Sequence, residues 1–286
     1  MSSANNTENT VAFAGIEGAY SDLACRQAQP YMTPVPMESF DDVFEAVEQG
    51  RVTYGMIPIE NSQAGRVAEI HNILPKTKLH IVSEYFLKVE HHLFAPKGTE
   101  LEKVTDVYSH PQALMQCRDS LRELGLNVHA YADTAMAAKD VAEWNDPTKA
   151  AVCSELAGAL YGLECVKENM QDDENNQTLF LTFAQEPADP LPGHEPVLTS
   201  VLFTLRSIPA ALYKALGGFA TNGLNMVKLE SYLHSAKAGT AQFFLTFEGH
   251  PQERATQLAL EELGFFSNKV HVLGVYPADP KRYLQK

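Results

Sequence analysis

The sequence predicts an α/β protein of two lobes followed by a smaller α+β domain. Three observations carry this. Strand-like and helix-like segments alternate from Thr10 to Phe183, the pattern of parallel sheets covered by helices. A run with four prolines, QEPADPLPGHEP at residues 185–196, then interrupts the alternation. Proline removes backbone donors and restricts its neighbours, so this run reads as a linker. Beyond it the order is strand, helix, strand, strand, helix, strand. The chain has 286 residues and is 45% hydrophobic, enough for one to three packed domains.

In the first region, strands are expected at Thr10–Ala14 and Val35–Met37, with a helix at Tyr20–Ala28 between them. Ser39 is expected to cap a helix over Phe40–Gln49, with Asp41 and Asp42 in its positive first turn. Met56–Ile59 reads as a buried strand, followed at once by Glu60-Asn61-Ser62 and a helix over Arg66–Leu74. Leu79–Ala95 is strand-rich and crosses between lobes. Further strands are expected at Val104–Tyr108, Val128–Ala132, Ala150–Cys153 and Thr178–Phe183. The helices between them are Pro111–Leu124, Ala135–Trp144 and Glu155–Tyr161. Two runs of such units suggest lobes flanking a cleft, as in periplasmic solute-binding proteins that close by a hinge. In the tail, strands are expected at Val197–Arg206, Leu224–Leu233, Thr240–Phe247 and Val270–Tyr276. Helices at Ala210–Ala220 and Pro251–Leu263 complete a ferredoxin-like βαββαβ unit.

Net charge is −14 and the pI about 5.1, which argues against nucleic acid and anionic membranes as partners. No apolar run approaches the ~20 residues of a membrane span. The polar Met1–Thr10 lacks the apolar core of a secretory signal, so a cytoplasmic protein is expected. Cys25, Cys117, Cys153 and Cys165 are widely spaced, without a CxxC pair, and are expected to be mostly buried thiols.

Polar residues recur where strands meet helices: Gly18-Ala19-Tyr20-Ser21, Glu60-Asn61-Ser62, Ser109-His110, Asp133-Thr134 and Ser154. In a parallel sheet such junctions line one edge, where ligands bind. Helix N-termini also favour carboxylates and phosphates, so an acidic protein can hold an anion with few lysines. Ser, Thr and Asp are equally the ordinary helix caps. Glu60 departs from that pattern, because a carboxylate after a buried strand must find a partner. His110 either accompanies the helix-starting Pro111 or faces the ligand edge. His91 and His92, adjacent in a strand, point to opposite faces, so at most one reaches a cleft. His71 and His80 are isolated, and no metal site is expected. Neither a Walker loop, a GxGxxG nor a serine nucleophile elbow is present.

These residues carry a resemblance. GAYS at 18–21, GMIPIENSQAGRV at 55–67, SHPQALMQC at 109–117, DTAMAA at 133–138, YGL at 161–163 and NNQTLF at 175–180 stand in this order. Together they resemble prephenate dehydratase, and PAALYKALGGFATNGLNMVKLES in the tail is similar to an ACT regulatory domain. The resemblance spans about Val11 to Tyr276. It implies a catalytic domain over 8–184, with lobes of about 8–80 plus 166–184 and of 81–165. It further implies the linker at 185–196 and an ACT domain over 197–277. The implied reaction converts prephenate to phenylpyruvate, carbon dioxide and water without metal or organic cofactor. Phenylalanine is the implied allosteric effector, and the assembly a homodimer or homotetramer. Thr178 and Phe180 match the family's Thr-Arg-Phe motif, and the threonine would assist departure of the ring hydroxyl. Glu60, Ser109 and His110 are the further catalytic residues implied. Ser21, Asn61, Ser62, Arg66, Gln112 and Thr134 join Phe180 in binding substrate. Leu212, Gly223, Leu224, Asn225, Glu230 and Ser231 would hold the effector. The motif's arginine is Leu179 here, which keeps arogenate dehydratase and a non-catalytic ligand sensor as alternatives. In the tail, Tyr232-Leu233 replaces the Arg-Pro that follows Glu-Ser in the family.

Overall fold

A computed structural model describes residues 9–193, 196–233 and 241–284. The expectations for residues 1–8, for the linker at 194–195 and for a strand start at Thr240 lie outside them.

The chain opens with β1 (Thr10–Ala14), α1 (Tyr20–Ala28), β2 (Thr33–Met37), α2 (Phe40–Glu48) and β3 (Tyr54–Asn61). There follow β4 (Gly65–Arg66), α3 (Ile70–Ile73), β5 (His80–Lys88), β6 (His92–Ala95), β7 (Asp106–Ser109), α4 (Pro111–Gln116) and α5 (Arg118–Glu123). Then come β8 (Asn127–Ala130), α6 (Thr134–Trp144), β9 (Lys149–Cys153), α7 (Glu155–Leu160), β10 (Glu164–Lys167) and β11 (Gln177–Ala184). The tail is β12 (Val197–Leu205), α8 (Ala211–Thr221), β13 (Met226–Leu233), β14 (Ala241–Glu248), α9 (Arg254–Phe266) and β15 (Ser267–Pro277).

One sheet has the order β2-β1-β3-β11-β5, with β4 paired to β3. Val11, Ala12 and Phe13 of β1 are wholly buried, the continuous apolar run of a strand covered on both faces. Thr-Pro-Val-Pro-Met of β2 carries two prolines and lies at the sheet edge, where a missing N–H costs no ladder bond. The second sheet runs β10-β6-β9-β7-β8. It is mixed, where alternation implied parallel strands throughout. β7 pairs in parallel with β8 and β9, but β6 is antiparallel to both β9 and β10. No sequence signal marks β10, whose residues are half-buried or exposed and lack an alternating apolar face. The expected crossing near residue 81 comes later, because β5 belongs to the first sheet through Lys88. The helix expected over Pro111–Leu124 is broken at the buried Cys117, whose backbone leaves the helical region. Cys25 and Cys153 are also buried, and Cys165 is exposed.

The chain divides into two compact units. One holds the residues up to Ala46 with Gly55–Val67 and Phe86–Phe180, and the other Val47–Tyr54 with Ala68–Tyr85 and the residues from Leu181 onward. In the second, the tail forms an antiparallel sheet ordered β13-β14-β12-β15. Its core joins Val201, Phe203, Phe247 and Leu245 of the sheet with Phe219 of α8 and Leu263 of α9. The order is that of the ferredoxin-like arrangement read from the sequence.

In the first unit, the loop before α1 is clamped to the second sheet's helix α7. Ser154 donates to the Gly18 carbonyl at 2.9 Å, and the Tyr161 hydroxyl donates to that of Glu17 at 2.7 Å. Gly18 has φ +89°, and an added Cβ would lie 3.0 Å from the Ala157 backbone. Positive φ and backbone contact together demand glycine. Gly18→Ala is expected to destabilise the protein by about 1–3 kcal/mol in denaturant titrations. A change below about 0.5 kcal/mol would remove the clamp from the account.

Candidate active site

A cavity of about 500 Å³ opens within the first compact unit. Ala14, Pro58, Asn61, Thr178 and Phe180 line it from the first sheet, with Gly65 and Arg66 of β4. His110, Gln112 and Gln116 line it from α4 and the residue before it, and Asp133 and Thr134 from the start of α6. Tyr20 and Ser21 reach it from the start of α1, and Val89 and His91 from the passage between β5 and β6.

Asn61 organises the first-sheet wall. Its Oδ1 accepts the backbone N–H of Gln63 at 3.0 Å and of Ala64 at 2.9 Å, an Asx turn. The chain therefore turns back at once, with Gly65 at φ +78°, and β4 pairs with β3 so that Arg66 lies opposite Glu60. Glu60-Asn61-Ser62 is thus a β-hairpin and not a strand-to-helix junction, and Arg66 stands in a strand. Helix begins only at Ile70. The Asn61 Nδ2 donates to Thr178 Oγ1 at 3.0 Å and to Asn176 Oδ1 at 2.7 Å. Thr178 and Phe180 face the cavity while Leu179 between them is buried elsewhere, as strand alternation requires.

On the opposite wall, His110 accepts the Gln112 N–H through Nδ1 at 3.2 Å and so caps α4. Asp133 caps α6 by accepting from the N–H groups of Ala135 and Met136. No side chain among the described residues caps α1. Along the lining, Tyr20, His91 and Gln116 make a chain of contacts that ends on the buried Asn176. The Tyr20 hydroxyl lies 2.7 Å from His91 Nδ1, His91 Nε2 lies 2.9 Å from Gln116 Oε1, and Asn176 Nδ2 donates to that oxygen at 3.0 Å. Burial lowers the His91 pKa, although its bond to Gln116 opposes this, and burial raises that of Tyr20.

Eight predicted residues therefore line one cavity: Ser21, Asn61, Arg66, His110, Gln112, Thr134, Thr178 and Phe180. Three do not. The Ser109 hydroxyl is buried and donates to the Val152 carbonyl at 2.6 Å, joining β7 to β9. Ser62 accepts the Gln177 N–H and donates to the Asn175 carbonyl, holding the hairpin to the start of β11. Glu60 lies in the β3–β4 ladder and is not part of the lining. Sequence reasoning missed Gln116 and Asn176, and left His91 undecided against His92. His91 takes the cavity side, while His92 accepts the Asn169 N–H. SHPQALMQC and NNQTLF contained two of these residues, yet nothing local marks which amides meet. Among the described residues no three His, Cys, Asp or Glu side chains gather as metal ligands would.

Fold and cavity define an α/β protein with a small-molecule site lined by hydrogen-bonding groups. The family model for prephenate dehydratase (PDT) matches residues 11–188. A bifunctional N-acyl-homoserine lactone acylase/prephenate dehydratase of Komagataeibacter europaeus is 44% identical over 277 residues, 97% of this chain and 99% of its own. The chloroplastic arogenate dehydratase/prephenate dehydratase 2 of Arabidopsis thaliana is 41% identical over 285 residues, 96% of this chain and 74% of its own. The crystal structure of a prephenate dehydratase in complex with L-Phe, from Arthrobacter aurescens, is 28% identical with a TM-score of 0.84, over 94% of this chain and 89% of that one. The chain belongs to the prephenate dehydratase family. No helix among the described residues is long and apolar enough to cross a membrane.

The residues expected to hold an effector are dispersed over the tail. Leu212 and Leu224 pack against its core, and Gly223 follows α8 at φ +69°. Leu224 also lines a separate cavity with Glu248, His250 and Glu253, and Asn225 donates to Glu248 at 3.1 Å. Ser231 lies in β13 opposite Phe243. Glu230 is engaged inside the second unit: Lys228 Nζ lies 2.7 Å and His71 Nε2 2.9 Å from its oxygens, and the Tyr232 ring lies tilted against His71. Burial alone would raise the Glu230 pKa, but the hydrogen bonds from His71 and Lys228 outweigh it and bring it to about 2. A folded-state pKa below the ordinary 4.5 means stability that is present above about pH 4.5 and lost toward pH 2. Glu230→Gln is expected to cost about 1–2 kcal/mol at pH 7, allowing for solvent screening. The gap to wild type should shrink as pH falls from 4.5 to 2 in parallel denaturation curves. A gap independent of pH contradicts the assignment.

Proposed function

We propose that the chain catalyses the decarboxylating dehydration of prephenate to phenylpyruvate in this cavity, in the cytoplasm. Phenylalanine regulates it through the tail, an ACT domain over 197–277 joined by the linker at 185–196 to the catalytic domain over 8–184. The assembly is a homodimer or homotetramer, which sedimentation would decide. The effector assignment is supported by the L-Phe complex of the Arthrobacter aurescens relative.

One observation carries the catalytic reading: the Thr178 hydroxyl, on a cavity wall, accepts an N–H from Asn61. With a lone pair of Oγ1 so engaged, its proton is available to a leaving group. Prephenate is a dianion with a carboxylate and a hydroxyl at opposite ring positions. The carbon–carbon bond to the ring carboxylate breaks and releases carbon dioxide. Its electron pair enters the ring, and the carbon–oxygen bond to the hydroxyl breaks. The leaving hydroxide takes up one proton from solvent and departs as water, and the ring becomes aromatic. Thr178 donates to that oxygen as negative charge develops on it, where a placed donor is worth about 10²–10³ in rate. Arg66 and the start of α1 provide positive potential for the side-chain carboxylate, and His110, whose Nδ1 accepts the Gln112 N–H, has Nε2 left to donate to it. Phe180 offers the ring an apolar face.

Arogenate is the second reading, favoured by the Arabidopsis relative's name and by Leu179 in place of the motif arginine. The Komagataeibacter relative adds an acylase to be assayed in parallel. Purified protein is expected to form phenylpyruvate from prephenate, and Thr178→Val to lose about 10²–10³ in kcat while Thr178→Ser keeps most of it. Phenylalanine formed faster from arogenate would reassign the substrate. Hydrolysis of N-acyl-homoserine lactone alone, or binding of prephenate without product, would overturn the dehydratase reading. Asn61→Asp replaces the donor facing Thr178 with an acceptor and is expected to cost at least about tenfold in kcat. Wild-type turnover in that variant would remove the contact from catalysis. Calorimetry should detect phenylalanine, and a bound substrate analogue should shift its affinity by the factor with which phenylalanine shifts the analogue's own.

A further inference from the structure

We propose that His91, as its Nε2–H tautomer, is a positioning residue that fixes the Gln116 carboxamide with its Nε2 amine presented to the cavity, where it binds a carboxylate oxygen of the substrate. The inference deepens the dehydratase reading and rests on it.

The polarity of the network starts at the backbone. Asn61 Oδ1 accepts from the main-chain N–H groups of Gln63 and Ala64, which cannot act as acceptors. The Asn61 carboxamide is therefore held in one orientation, with Nδ2 toward Asn176. A donor there requires an oxygen opposite it, so Asn176 presents Oδ1 to Asn61 and Nδ2 to Gln116. Asn176 is wholly buried and has no water to exchange with. Gln116 must in turn present Oε1 to Asn176. The same oxygen lies 2.9 Å from His91 Nε2, so that nitrogen carries a hydrogen. Burial lowers the pKa of the ring and favours its neutral form, whose bare Nδ1 lies 2.7 Å from the Tyr20 hydroxyl; that hydroxyl has one hydrogen and also lies 2.8 Å from the Glu90 carbonyl. As far as His91 Nε2, each step is set by the one before, starting from a β-turn.

The other end of the Gln116 carboxamide is not engaged in this way. Gln116 is 8% exposed and lines the cavity, and its Nε2, itself buried just behind the surface, finds no acceptor among the described residues. A buried donor left unpaired costs about 1–3 kcal/mol. Rotation of the amide would relieve it, but would place Nε2 against the donors of His91 and Asn176. His91 and Asn176 thus hold two N–H bonds ready for an oxygen supplied from outside. A carboxylate is the strongest acceptor available to them. The proposed substrate carries two, and an acidic protein has few cations to offer either.

The test pairs two substitutions with one spectrum. His91→Phe keeps an aromatic ring beside Tyr20 and removes the N–H. It is expected to lower kcat/KM about 10–100-fold, mostly through KM. His91→Gln places a donor near the position of Nε2 and should recover most of that loss, which a purely space-filling role would not allow. Gln116→Leu should show the same KM defect, and His91→Phe combined with it should be no worse than Gln116→Leu alone. Additive losses, or a wild-type KM in a folded His91→Phe, overturn the proposal. In the ¹⁵N spectrum of histidine-labelled wild type, the resonance absent from His91→Gln should be a neutral ring protonated at Nε2. A ring protonated at Nδ1 overturns the proposal whether or not the enzyme turns over. If neither prephenate nor arogenate reacts, the dehydratase reading fails while the spectrum still reports the tautomer.

Discussion

The site hangs on the carboxamide of Asn61. Two backbone N–H groups hold its oxygen, and this closes the β3–β4 hairpin while turning its nitrogen toward Asn176, the Gln177 carbonyl and Thr178. One side chain thereby shapes the backbone and sets the direction of hydrogen bonding across the cavity. A neutral amide does this without the desolvation cost of a buried charge. It also fixes donor and acceptor more strictly than a hydroxyl, which can rotate to suit its neighbours.

Around that side chain, the first unit builds its cavity from segments remote in the chain. The loop before α1 reaches across to α7 and can do so only with glycine at position 18. β11 returns after the whole second sheet to lie beside β3, and brings Thr178 within 3.0 Å of Asn61. The passage between β5 and β6 carries His91 to the same place. Close packing of both sheets leaves these groups little freedom, which is the condition for preorganised donors to act on a developing charge.

A chain of net charge −14 that receives an anion must do so by local arrangement. Few full charges line the cavity: Arg66 stands against Asp133. The other polar groups there are mostly amides, hydroxyls and helix starts, whose dipoles are worth most where water is excluded. The tail works differently. Its Glu230 is met by Lys228 and His71, so a residue expected to hold an effector is already engaged by neighbours of its own unit. Tyr232, two residues on, lies against His71 with its ring tilted by 33°.

Read along the chain alone, the residues already specify the alternation of strands and helices, the βαββαβ tail and the motifs that place Asn61, His110, Thr134 and Thr178 near one another. These are carried by local period, proline chemistry and ordered short motifs, all of which a linear reading can see. The hairpin at Glu60 was partly visible in Asn61 and Gly65, but the apolar spacing after Arg66 imitated a helix. Ser109 had the residue type and position of a cavity group, and only a carbonyl of the neighbouring strand shows that its hydroxyl is spent on the sheet. The direction of β6, the edge strand β10 and the run from Asn61 through Asn176 and Gln116 to His91 and Tyr20 emerge only in the folded chain. The bonds of that run join residues 25 to 115 positions apart, and a hydrogen bond has no sequence signature until folding brings donor and acceptor within 3 Å.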